Sequence, residues 1–409
     1  MPHMNSEFSF PLVDSSYDNQ EILRCIETLL SGQLTMGARV KEFEAAFAES
    51  IGCPYAVMVN SGSSANLLAV SAAINPVRGR RLKPGDCVAV PAVCWSTSLW
   101  PLVQLGLKPV LIDVDSKTLN LSIPSLKRAM QEKPIAAVMM VHILGNSTQM
   151  SELLEIVSDN DMILIEDTCE SLGSSHQGKA LGTIGDFGTY SFYFSHHMTT
   201  IEGGMVVCNT LEDYDLLRCL RAHGWSREQS NRAGLEIENP AIDPRFLFIN
   251  IGYNLRPMEI QASFGLEQLK RLDEMNINRK INAARMRKAF TCHRQWREQI
   301  EFPEAPAGID ACWFGFPFIV KDTPGFNYTT FTEILMRSRI DTRPIVSGNM
   351  ALQPAVRMFD IDMSQGPFHG AQRIHDHGVF IGVHAKILED ERVEWLADEV
   401  IRAVEAACH

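Results

Sequence analysis

The sequence predicts an α/β domain with a mixed, mostly parallel sheet, followed by a smaller α+β domain at the C-terminus. The chain has 409 residues, which is more than a single ordinary hydrophobic core contains. From about residue 55 to residue 210, short β-branched runs alternate with helical patterns, as in parallel sheets that helices cover on both faces. After Gly265 this alternation ends, and a long amphipathic stretch leads into a segment of mixed pattern.

Within the alternating region, each predicted strand is a short apolar run, and each predicted helix has apolar residues at helical spacing. In chain order, the predicted strands cover residues 55–59, 87–91, 108–114, 136–142, 162–166 and 205–209. The predicted helices between them cover residues 64–74, 125–132 and 150–159.

Beyond this region the basic, amphipathic residues 266–297 predict one long linking helix. Residues 313–320 predict a strand, and residues 390–407 predict a closing helix. We therefore expect a large ligand-binding domain and a small C-terminal domain. The large domain is predicted to cover residues 30–270 and the small domain residues 275–409. The N-terminal segment, residues 1–29, is predicted to pack on the small domain or on a second subunit.

The charge and hydropathy of the chain argue against several classes of protein. The net charge of −12 argues against a nucleic-acid partner, although a local group of amides can still bind a phosphorylated small molecule. No apolar run reaches the roughly 18–20 residues that span a bilayer, so we expect no membrane association. The first residues show no signal-peptide pattern, which predicts a cytoplasmic protein.

The ten cysteines are spaced too widely for a typical metal centre. None forms a C-x-x-C or C-x-C pair, the close spacing that zinc and iron–sulfur sites usually have. Isolated cysteines in a cytoplasmic protein are typically reduced and buried. We therefore expect no metal site and no iron–sulfur cluster.

Several polar or aromatic residues are expected to lie after strands, at the edge where α/β sheets bind ligands. They are the turn at residues 61–64, Trp95, Asp167 and His196. The turn opens a helix, and amides at a helix N-terminus together with serine hydroxyls can form a phosphate cradle. The alternative is a serine cap without a ligand. In the same way, Trp95 could be a core residue without a ligand. Asp167 could be a helix cap without a ligand.

One interval of the sequence decides the predicted chemistry. There is no lysine between Lys179 and Lys270, and within this interval residues 191–197 read S-F-Y-F-S-H-H and residues 202–204 read E-G-G. These residues resemble the segment S-F-x-x-x-K, spacer, E-G-G of the DegT group of nucleotide-sugar aminotransferases. In that family the lysine binds pyridoxal phosphate covalently. The fifth residue after Ser191 is His196, so the lysine position holds a histidine.

Four further segments resemble the same family, and the resemblance extends from about residue 10 to the C-terminus. They read L-T-M-G at 34–37, R-A-H-G-W at 221–225, G-Y-N-L-R-P at 252–257 and R-P-I-V-S-G-N at 343–349. The resemblance implies the aspartate-aminotransferase-like fold, known as fold type I. It also implies a homodimer in which the segments at 221–225 and 252–257 reach the active site of the neighbouring subunit.

The resemblance further implies roles for individual residues. The implied cofactor-binding residues are Gly62, Ser63, Ser64, Trp95, Asp167, Glu170, Ser191 and Asn254. The implied substrate-binding residues are Thr35, Met36, His223, Trp225, Arg256, Arg343 and Asn349. Asp167 would face the ring nitrogen of the cofactor, and Trp95 would stack on the ring. Glu170 stands where many relatives have glutamine, so its role stays open.

One branch of the family has histidine in place of lysine: the 3-dehydratases of nucleotide-linked 4-keto-6-deoxy sugars. The string S-H-H-x-x-T-x-E-G-G at residues 195–204 is most similar to this branch. The resemblance implies pyridoxamine 5'-phosphate as cofactor, a nucleotide sugar as substrate with GDP favoured, release of ammonia, and L-glutamate to restore the cofactor. His196 would be the catalytic residue, because an imidazole with an ordinary pKa near 6.5 can take up and return a proton at neutral pH.

The sequence leaves alternatives to this reading. A sugar 4-aminotransferase that works with histidine would place nitrogen on its product, and an inactive cofactor-binding regulator would bind without turnover. His197 also competes with His196 for the catalytic role, although the spacing from Ser191 favours His196. The nucleotide could be GDP, CDP or dTDP.

Overall fold

The computed structural model describes residues 8–14 and 16–408, and its largest sheet has seven strands. The strands of the described residues are β1 (Tyr55–Val59), β2 (Cys87–Pro91), β3 (Lys108–Ile112), β4 (Val114–Asp115), β5 (Asn120–Leu121), β6 (Ile135–Val141), β7 (Ile163–Asp167), β8 (Ser175–His176), β9 (Lys179–Ala180), β10 (Phe187–Ser191), β11 (Gly204–Cys208), β12 (Ile300–Glu301), β13 (Ile309–Asp310), β14 (Gly315–Val320), β15 (Thr342–Pro344) and β16 (Gly378–Gly382). The large sheet has the order β1-β11-β10-β7-β6-β2-β3. All its strands run parallel except β11, which is antiparallel to both neighbours, so the predicted mixed, mostly parallel sheet is confirmed.

Helices cover both faces of this sheet. The α-helices of the described residues are α1 (Asn19–Ser31), α2 (Ala38–Ile51), α3 (Gly62–Ala73), α4 (Ser96–Gln104), α5 (Ile123–Glu132), α6 (Met150–Asp159), α7 (Leu211–Arg221), α8 (Arg232–Glu238), α9 (Glu259–Leu269), α10 (Leu272–Thr291), α11 (Tyr328–Arg337), α12 (His369–His377) and α13 (Asp390–Ala406). Short 3₁₀ turns lie at Ile143–Gly145, Pro244–Phe246, Met350–Leu352 and Pro354–Met358.

The side chains of β1 show how the two faces are filled. Val57 and Val59 lie in a core completed by α3, α4 and α7, whereas Ala56 and Met58 lie in a core completed by α2 and α9. Successive side chains of a strand point to opposite faces, so both faces of the sheet are buried. Helices α5 and α6 pack in a further apolar cluster with β3, β6 and β7.

The C-terminal part of the chain forms a second, antiparallel sheet in the order β12-β14-β16-β15. Helices α10, α11 and α13 pack with it around Phe318 and Phe331. Phe10 from the N-terminal segment lies in the same core, and its backbone pairs with Ile340.

The predicted domain limits, 30–270 and 275–409, stay predictions. Of the N-terminal segment 1–29, residues 1–7 and residue 15 lie outside the described residues, as does His409 of the small domain. Among residues 8–14 and 16–408, no helix is both long enough and apolar enough to cross a membrane.

The prediction of one long linking helix over residues 266–297 is wrong. The chain forms two helices there, α9 and α10, which are separated at Lys270 and Arg271. Helix α9 packs on α1 and α2 beside the large sheet, whereas α10 packs on α13. Leu272 and Met275 at the start of α10 still lie in the core of α2 and α9, whereas Met286 and Phe290 lie in the core of the second sheet, so α10 connects the two cores.

The other predicted elements are confirmed to within two residues at each end, with one exception. The strand predicted over 108–114 is divided at Asp113 into β3 and β4. Strand β10 was not predicted, because Gly188 and Thr189 interrupt its apolar run. This strand carries Ser191 to the edge of the sheet, so the sequence misses the element that leads directly to His196.

Candidate active site

A cavity of about 480 Å³ lies at the carboxyl ends of the strands of the large sheet. The turn after β1, the start of α4, the end of β7 and the loop after β10 form its walls. Seven residues predicted to bind the cofactor or to act in catalysis line this cavity: Gly62, Ser63, Trp95, Asp167, Glu170, Ser191 and His196. The structure therefore brings together residues that are up to 134 positions apart in the sequence, counted from 62 to 196.

The turn after β1 is built as the N-terminus of α3. Ser61 caps the helix, since its Oγ accepts the amide of Ser64 at 3.1 Å, and Ser64 itself does not line the cavity. The amides of Gly62 and Ser63 belong to the first turn, at the positive end of the helix dipole. A Cβ at Gly62 would lie 2.6 Å from the Cβ of Ser191, so a larger residue would displace the turn. This arrangement fits a phosphate group.

Asp167 ends β7 with its carboxylate fixed by three donors. Its Oδ2 accepts hydrogen bonds from Asn66 Nδ2 and Ser98 Oγ, both at 2.7 Å, and its Oδ1 accepts the amide of Cys169 at 3.1 Å. Asn66 is oriented in turn by Thr189, whose hydroxyl donates to Asn66 Oδ1 at 2.6 Å. The carboxylate is therefore held in one position beside the cavity, which suits the ring nitrogen of pyridoxal cofactors.

Glu170 lies in the cavity wall three residues beyond Asp167. Its Oε2 accepts the amide of Leu144 at 3.0 Å. Burial raises the pKa of Glu170 from its usual 4.5 to about 7, so this side chain exchanges its proton close to neutral pH. Protonated Glu170 can donate a hydrogen bond, whereas the ionised carboxylate can only accept one.

His196 presents one ring nitrogen to the backbone. Its Nδ1 lies 2.5 Å from the carbonyl oxygen of Cys169. A carbonyl oxygen only accepts, so Nδ1 carries the proton and the basic lone pair lies on Nε2. Burial lowers the pKa of His196 from its usual 6.5 to about 4, so the ring is neutral at neutral pH. The ring of Phe314 packs against it, with 5.1 Å between ring centroids.

His197 points away from the cavity. Its side chain is fully buried, and its Nε2 donates to the carbonyl oxygen of Cys312 at 3.0 Å. It is absent from the cavity lining, whereas His196 belongs to it. Of the two histidines that the sequence leaves open, only His196 has a ring at the cavity.

A second group of predicted residues gathers elsewhere. Thr35, Met36, Trp225 and Arg256 line a separate cavity of about 270 Å³. The ring of His223 lies 4.7 Å from that of Trp225, and Arg256 Nε donates to Asn254 Oδ1 at 2.9 Å. None of the six predicted residues at this location lines the cavity of His196 in the same chain: Thr35, Met36, His223, Trp225, Asn254 and Arg256.

The two predicted residues of the segment at 343–349 lie outside both cavities. Arg343 is exposed on β15 and pairs with Asp341 at 2.5 Å. Asn349 is buried and donates from Nδ2 to Gln372 Oε1 at 3.1 Å. Val346 from the same segment does line the cavity of His196.

Sequence reasoning missed several residues of the site. Asn66 and Ser98 orient Asp167, but they lie inside α3 and α4, and nothing in the sequence connects them with β7. His142 lines the cavity and is fully buried, with Nε2 3.1 Å from Glu166 Oε2. The signal for His142 was available, because it follows β6 at the same edge of the sheet where Asp167 ends β7.

The cavity lining is acidic. It contains the carboxylates of Asp167, Glu170 and Glu202, and no lysine or arginine of the described residues belongs to it. A phosphorylated cofactor and a nucleotide sugar are both anionic, so the single chain offers helix amides and hydroxyls to them but no cation.

The chain is similar to known proteins in both sequence and fold. A family model described as the DegT/DnrJ/EryC1/StrS aminotransferase family matches residues 15–404. GDP-4-keto-6-deoxy-D-mannose 3-dehydratase of Yersinia pseudotuberculosis is 38% identical over 94% of this chain and 96% of its own length. The solved Escherichia coli GDP-4-keto-6-deoxy-D-mannose 3-dehydratase with bound hydrated PLP has a TM-score of 0.88 at 36% identity, covering 96% of this chain and 99% of that one. A further structure of GDP-4-keto-6-deoxymannose 3-dehydratase, with a trapped PLP–glutamate geminal diamine, has the same TM-score of 0.88 and identity of 36%, covering 96% of this chain and 100% of that one.

Proposed function

The chain belongs to the DegT/DnrJ/EryC1/StrS aminotransferase family, and we propose that it is a pyridoxamine-phosphate-dependent 3-dehydratase of a nucleotide-linked 4-keto-6-deoxyhexose. The reaction would remove the 3-hydroxyl, release ammonia and supply a 3,6-dideoxy sugar pathway in the cytoplasm. GDP-4-keto-6-deoxy-mannose is the favoured substrate, since the similar enzyme from Yersinia pseudotuberculosis carries that name. The observation that carries the proposal is His196, which lines the cavity where the family has its lysine.

The residues around the cavity fit pyridoxamine phosphate without a covalent anchor. The amides of Gly62 and Ser63 would hold the phosphate, and Trp95, which is 57% exposed in the single chain, offers a ring face for stacking. Asp167 would face the ring nitrogen, and Glu170 would lie near the ring hydroxyl as its counterpart does in relatives. When bound, the cofactor supplies an amine for the keto group of the sugar and a ring that withdraws electrons.

His196 would accept and return a proton during the loss of water from the sugar. Its Nε2 is unprotonated at neutral pH because burial lowers the pKa of the ring to about 4, so it can accept a proton. The protonated ring can then pass that proton to the departing 3-hydroxyl. The Cys169 carbonyl holds Nδ1–H throughout and keeps the basic nitrogen directed away from the backbone. A histidine cannot replace the cofactor amine as lysine does, so that amine stays available to the sugar.

L-glutamate would restore the amine of the cofactor after each turnover. The trapped PLP–glutamate adduct of a similar dehydratase structure supports glutamate as the second substrate. The acidic lining of the cavity gives the two carboxylates of glutamate no cationic partner within one chain. Glutamate binding would therefore also require cationic residues from outside the subunit.

We propose a homodimer in which each subunit completes the cavity of the other. His223, Asn254 and Arg256 lie together at a second location, outside the cavity of their own chain. Helix α1 leaves an apolar surface uncovered, with Leu23 51% and Leu30 83% exposed. Apolar surface of this kind is typical of subunit interfaces, and a partner would supply the missing cation.

Mixing two inactive variants, His196→Asn and Asn254→Ala, is expected to restore part of the activity. In a hybrid dimer, one cavity would have both an intact His196 and an intact Asn254 from the partner. Turnover should be measured after the subunits have been exchanged, with each variant alone as the control. If Asn254 instead serves its own chain, neither cavity of the hybrid is complete and the mixture stays inactive.

Glu170→Gln is expected to change how stability depends on pH. The folded protein binds the proton of Glu170 more tightly than the unfolded chain does, because its pKa rises from 4.5 to about 7 on folding. The protonated side chain therefore stabilises the fold below pH 4.5, and this contribution disappears as the pH rises through about 7. The difference in unfolding temperature between the ligand-free wild type and Glu170→Gln should fall across this range. A difference that stays constant would mean that Glu170 titrates normally.

The proposed function is tested with a panel of substrates. The protein would be incubated with pyridoxamine phosphate, L-glutamate and the GDP, CDP or dTDP forms of a 4-keto-6-deoxy sugar. We expect turnover of the GDP sugar to a product with one oxygen atom fewer, together with released ammonia. Binding without turnover of any sugar would favour an inactive regulator instead.

A further inference from the structure

Arg221 is a buried cation that the proposed chemistry does not use. Its side chain is 1% exposed and lies between two carboxylates. Nη1 donates to Glu44 Oε1 at 2.6 Å and to the carbonyl oxygen of Met58 at 2.8 Å, and Nη2 donates to Glu228 Oε2 at 2.9 Å. The guanidinium thus connects α2, the end of β1 and the loop after α7.

Such a cluster is a poor way to gain stability alone. Removing charges from water is costly, and apolar residues of similar volume often stabilise a core equally well. An arginine fork does fix the direction of its partners, because its donors lie in one plane. The cluster at Arg221 is therefore better explained by the geometry that it imposes.

The backbone of Arg221 extends this geometry to the cavity. The carbonyl oxygen of Arg221 accepts the amide of Leu255 at 3.0 Å, and the carbonyl oxygen of Leu255 accepts the amide of Asn60 at 3.1 Å. Asn60 lies between β1 and the phosphate turn, and Met58, bound by the guanidinium, lies two residues earlier, in β1. Arg221 thus holds the approach to the turn from both its side chain and its backbone.

The same residue also holds the segment at 252–257. Ala222 forms a β-bridge with Asn254, and the amide of His223 donates to the carbonyl oxygen of Tyr253 at 2.6 Å. A Cβ at Gly252 would lie 2.1 Å from the amide nitrogen of Gly224, so the two segments are in direct backbone contact with no room to slide. A displacement at Arg221 would be transmitted to Asn254.

We propose that Arg221 is a positioning residue that holds the phosphate turn of its own subunit and the segment at 252–257 as one unit. The role of Arg221 toward the segment at 252–257 rests on the proposed function, in which that segment completes the cavity of the partner. Arg221 would then set the geometry of two cavities at once: its own through Asn60, and the partner's through Asn254.

The first test measures cofactor affinity with Arg221→Lys and a matched control, Arg78→Lys. Lysine keeps the charge but cannot reach Glu44, Met58 and Glu228 together. Arg78 donates two hydrogen bonds to Asp213 of α7, at 2.7 and 3.0 Å, and its other contacts, Asp186 and the ring of Phe187, lie outside the turn. Both variants should lower the unfolding temperature, so loss of stability alone cannot separate them.

Pyridoxamine phosphate would be titrated into the ligand-free proteins and followed by tryptophan fluorescence. We expect the Kd of Arg221→Lys to rise about tenfold, the cost of a charged buried hydrogen bond, and that of Arg78→Lys to stay within about twofold of wild type. If both variants bind like wild type, Arg221 is only a structural residue and the proposal is wrong. Should Arg221→Lys fail to fold, Glu228→Gln replaces it; its Kd is expected to rise, and an unchanged Kd overturns the proposal.

The second test uses hybrid dimers to isolate the effect on the partner. Wild type paired with His196→Asn has one working cavity, and so does wild type paired with the double variant His196→Asn/Arg221→Lys. In the second hybrid, that cavity receives its 252–257 segment from the altered subunit. We expect the kcat/KM of the second hybrid to be about tenfold lower than that of the first. Equal values would overturn the proposal that Arg221 sets the geometry of the partner's cavity. A wild type that removes no water would refute the proposed function, whereas the titrations would still decide the role of Arg221.

Discussion

Replacing His196 by asparagine is expected to abolish the loss of water from the sugar while pyridoxamine phosphate stays bound. The phosphate turn, Trp95 and Asp167 do not depend on the imidazole, so the cofactor keeps its contacts. The asparagine amide can still donate to the carbonyl oxygen of Cys169, but it cannot accept a proton. General acid–base groups contribute typically about 10²–10⁴-fold, and turnover should fall by at least the lower of these factors. Single-turnover kinetics with the cofactor Kd as control would check this, and a rate close to wild type would remove His196 from the mechanism.

Lysine substitutions at the two histidines test which of them faces the cofactor. His196→Lys is expected to bind pyridoxal phosphate covalently, in a linkage that borohydride traps, because position 196 lies in the cavity wall. His197→Lys should not be trapped, because the ring of His197 points to the carbonyl oxygen of Cys312. Mass spectrometry of the reduced proteins would identify the modified residue. Trapping only at position 197 would mean that the sequence register is wrong by one residue.

Asp167→Asn is expected to weaken cofactor binding and to lower turnover at least about a hundredfold, the scale of a lost charge-stabilising group. The substitution removes the anion beside the ring nitrogen, so the ring would withdraw electrons less effectively. It also brings an amide NH₂ toward Asn66 or Ser98, which now donate to Asp167 Oδ2. The measurements are kcat and the cofactor Kd.

Asp186→Asn is a suitable control for this variant. Asp186 also accepts a backbone amide, that of Leu164 at 3.0 Å, but it lies beside Arg78 and does not line the cavity. It should lower stability without changing the cofactor Kd. If Asp167→Asn turns over within about twofold of wild type, Asp167 is not the partner of the ring.

The sequence predicts most of the large sheet because buried parallel strands are continuous apolar runs. Strand β10 escapes this pattern because two of its residues are not apolar. Gly188 lets the backbone of Gly182 come close, and Thr189 donates a hydrogen bond to Asn66. The break at Lys270 also escapes it, because no glycine or proline marks the break and only tertiary packing distinguishes what the two helices cover. Local patterns record what a segment buries, but not which other segment it meets.

The site is predicted to a similar extent, and for the same reason. Residues that follow strands, such as Asp167, come to one edge of the sheet by topology. Asn66 and Ser98 reach Asp167 from two helices, and this approach depends on how the helices cross the sheet. The cluster joins Arg221 and Glu228 to Glu44, which lies 177 residues before Arg221, so no local sequence signal identifies it.

The fate of the glutamate nitrogen distinguishes a dehydratase from an aminotransferase. We infer that histidine at position 196 makes this family member a dehydratase rather than an aminotransferase. The protein would be supplied with ¹⁵N-labelled L-glutamate, pyridoxamine phosphate and GDP-4-keto-6-deoxy-mannose, and the label would be located by NMR and mass spectrometry. We predict ¹⁵N in free ammonia and a sugar that lacks one oxygen atom and contains no nitrogen. Label attached to the sugar would contradict the account and identify the protein as a sugar aminotransferase.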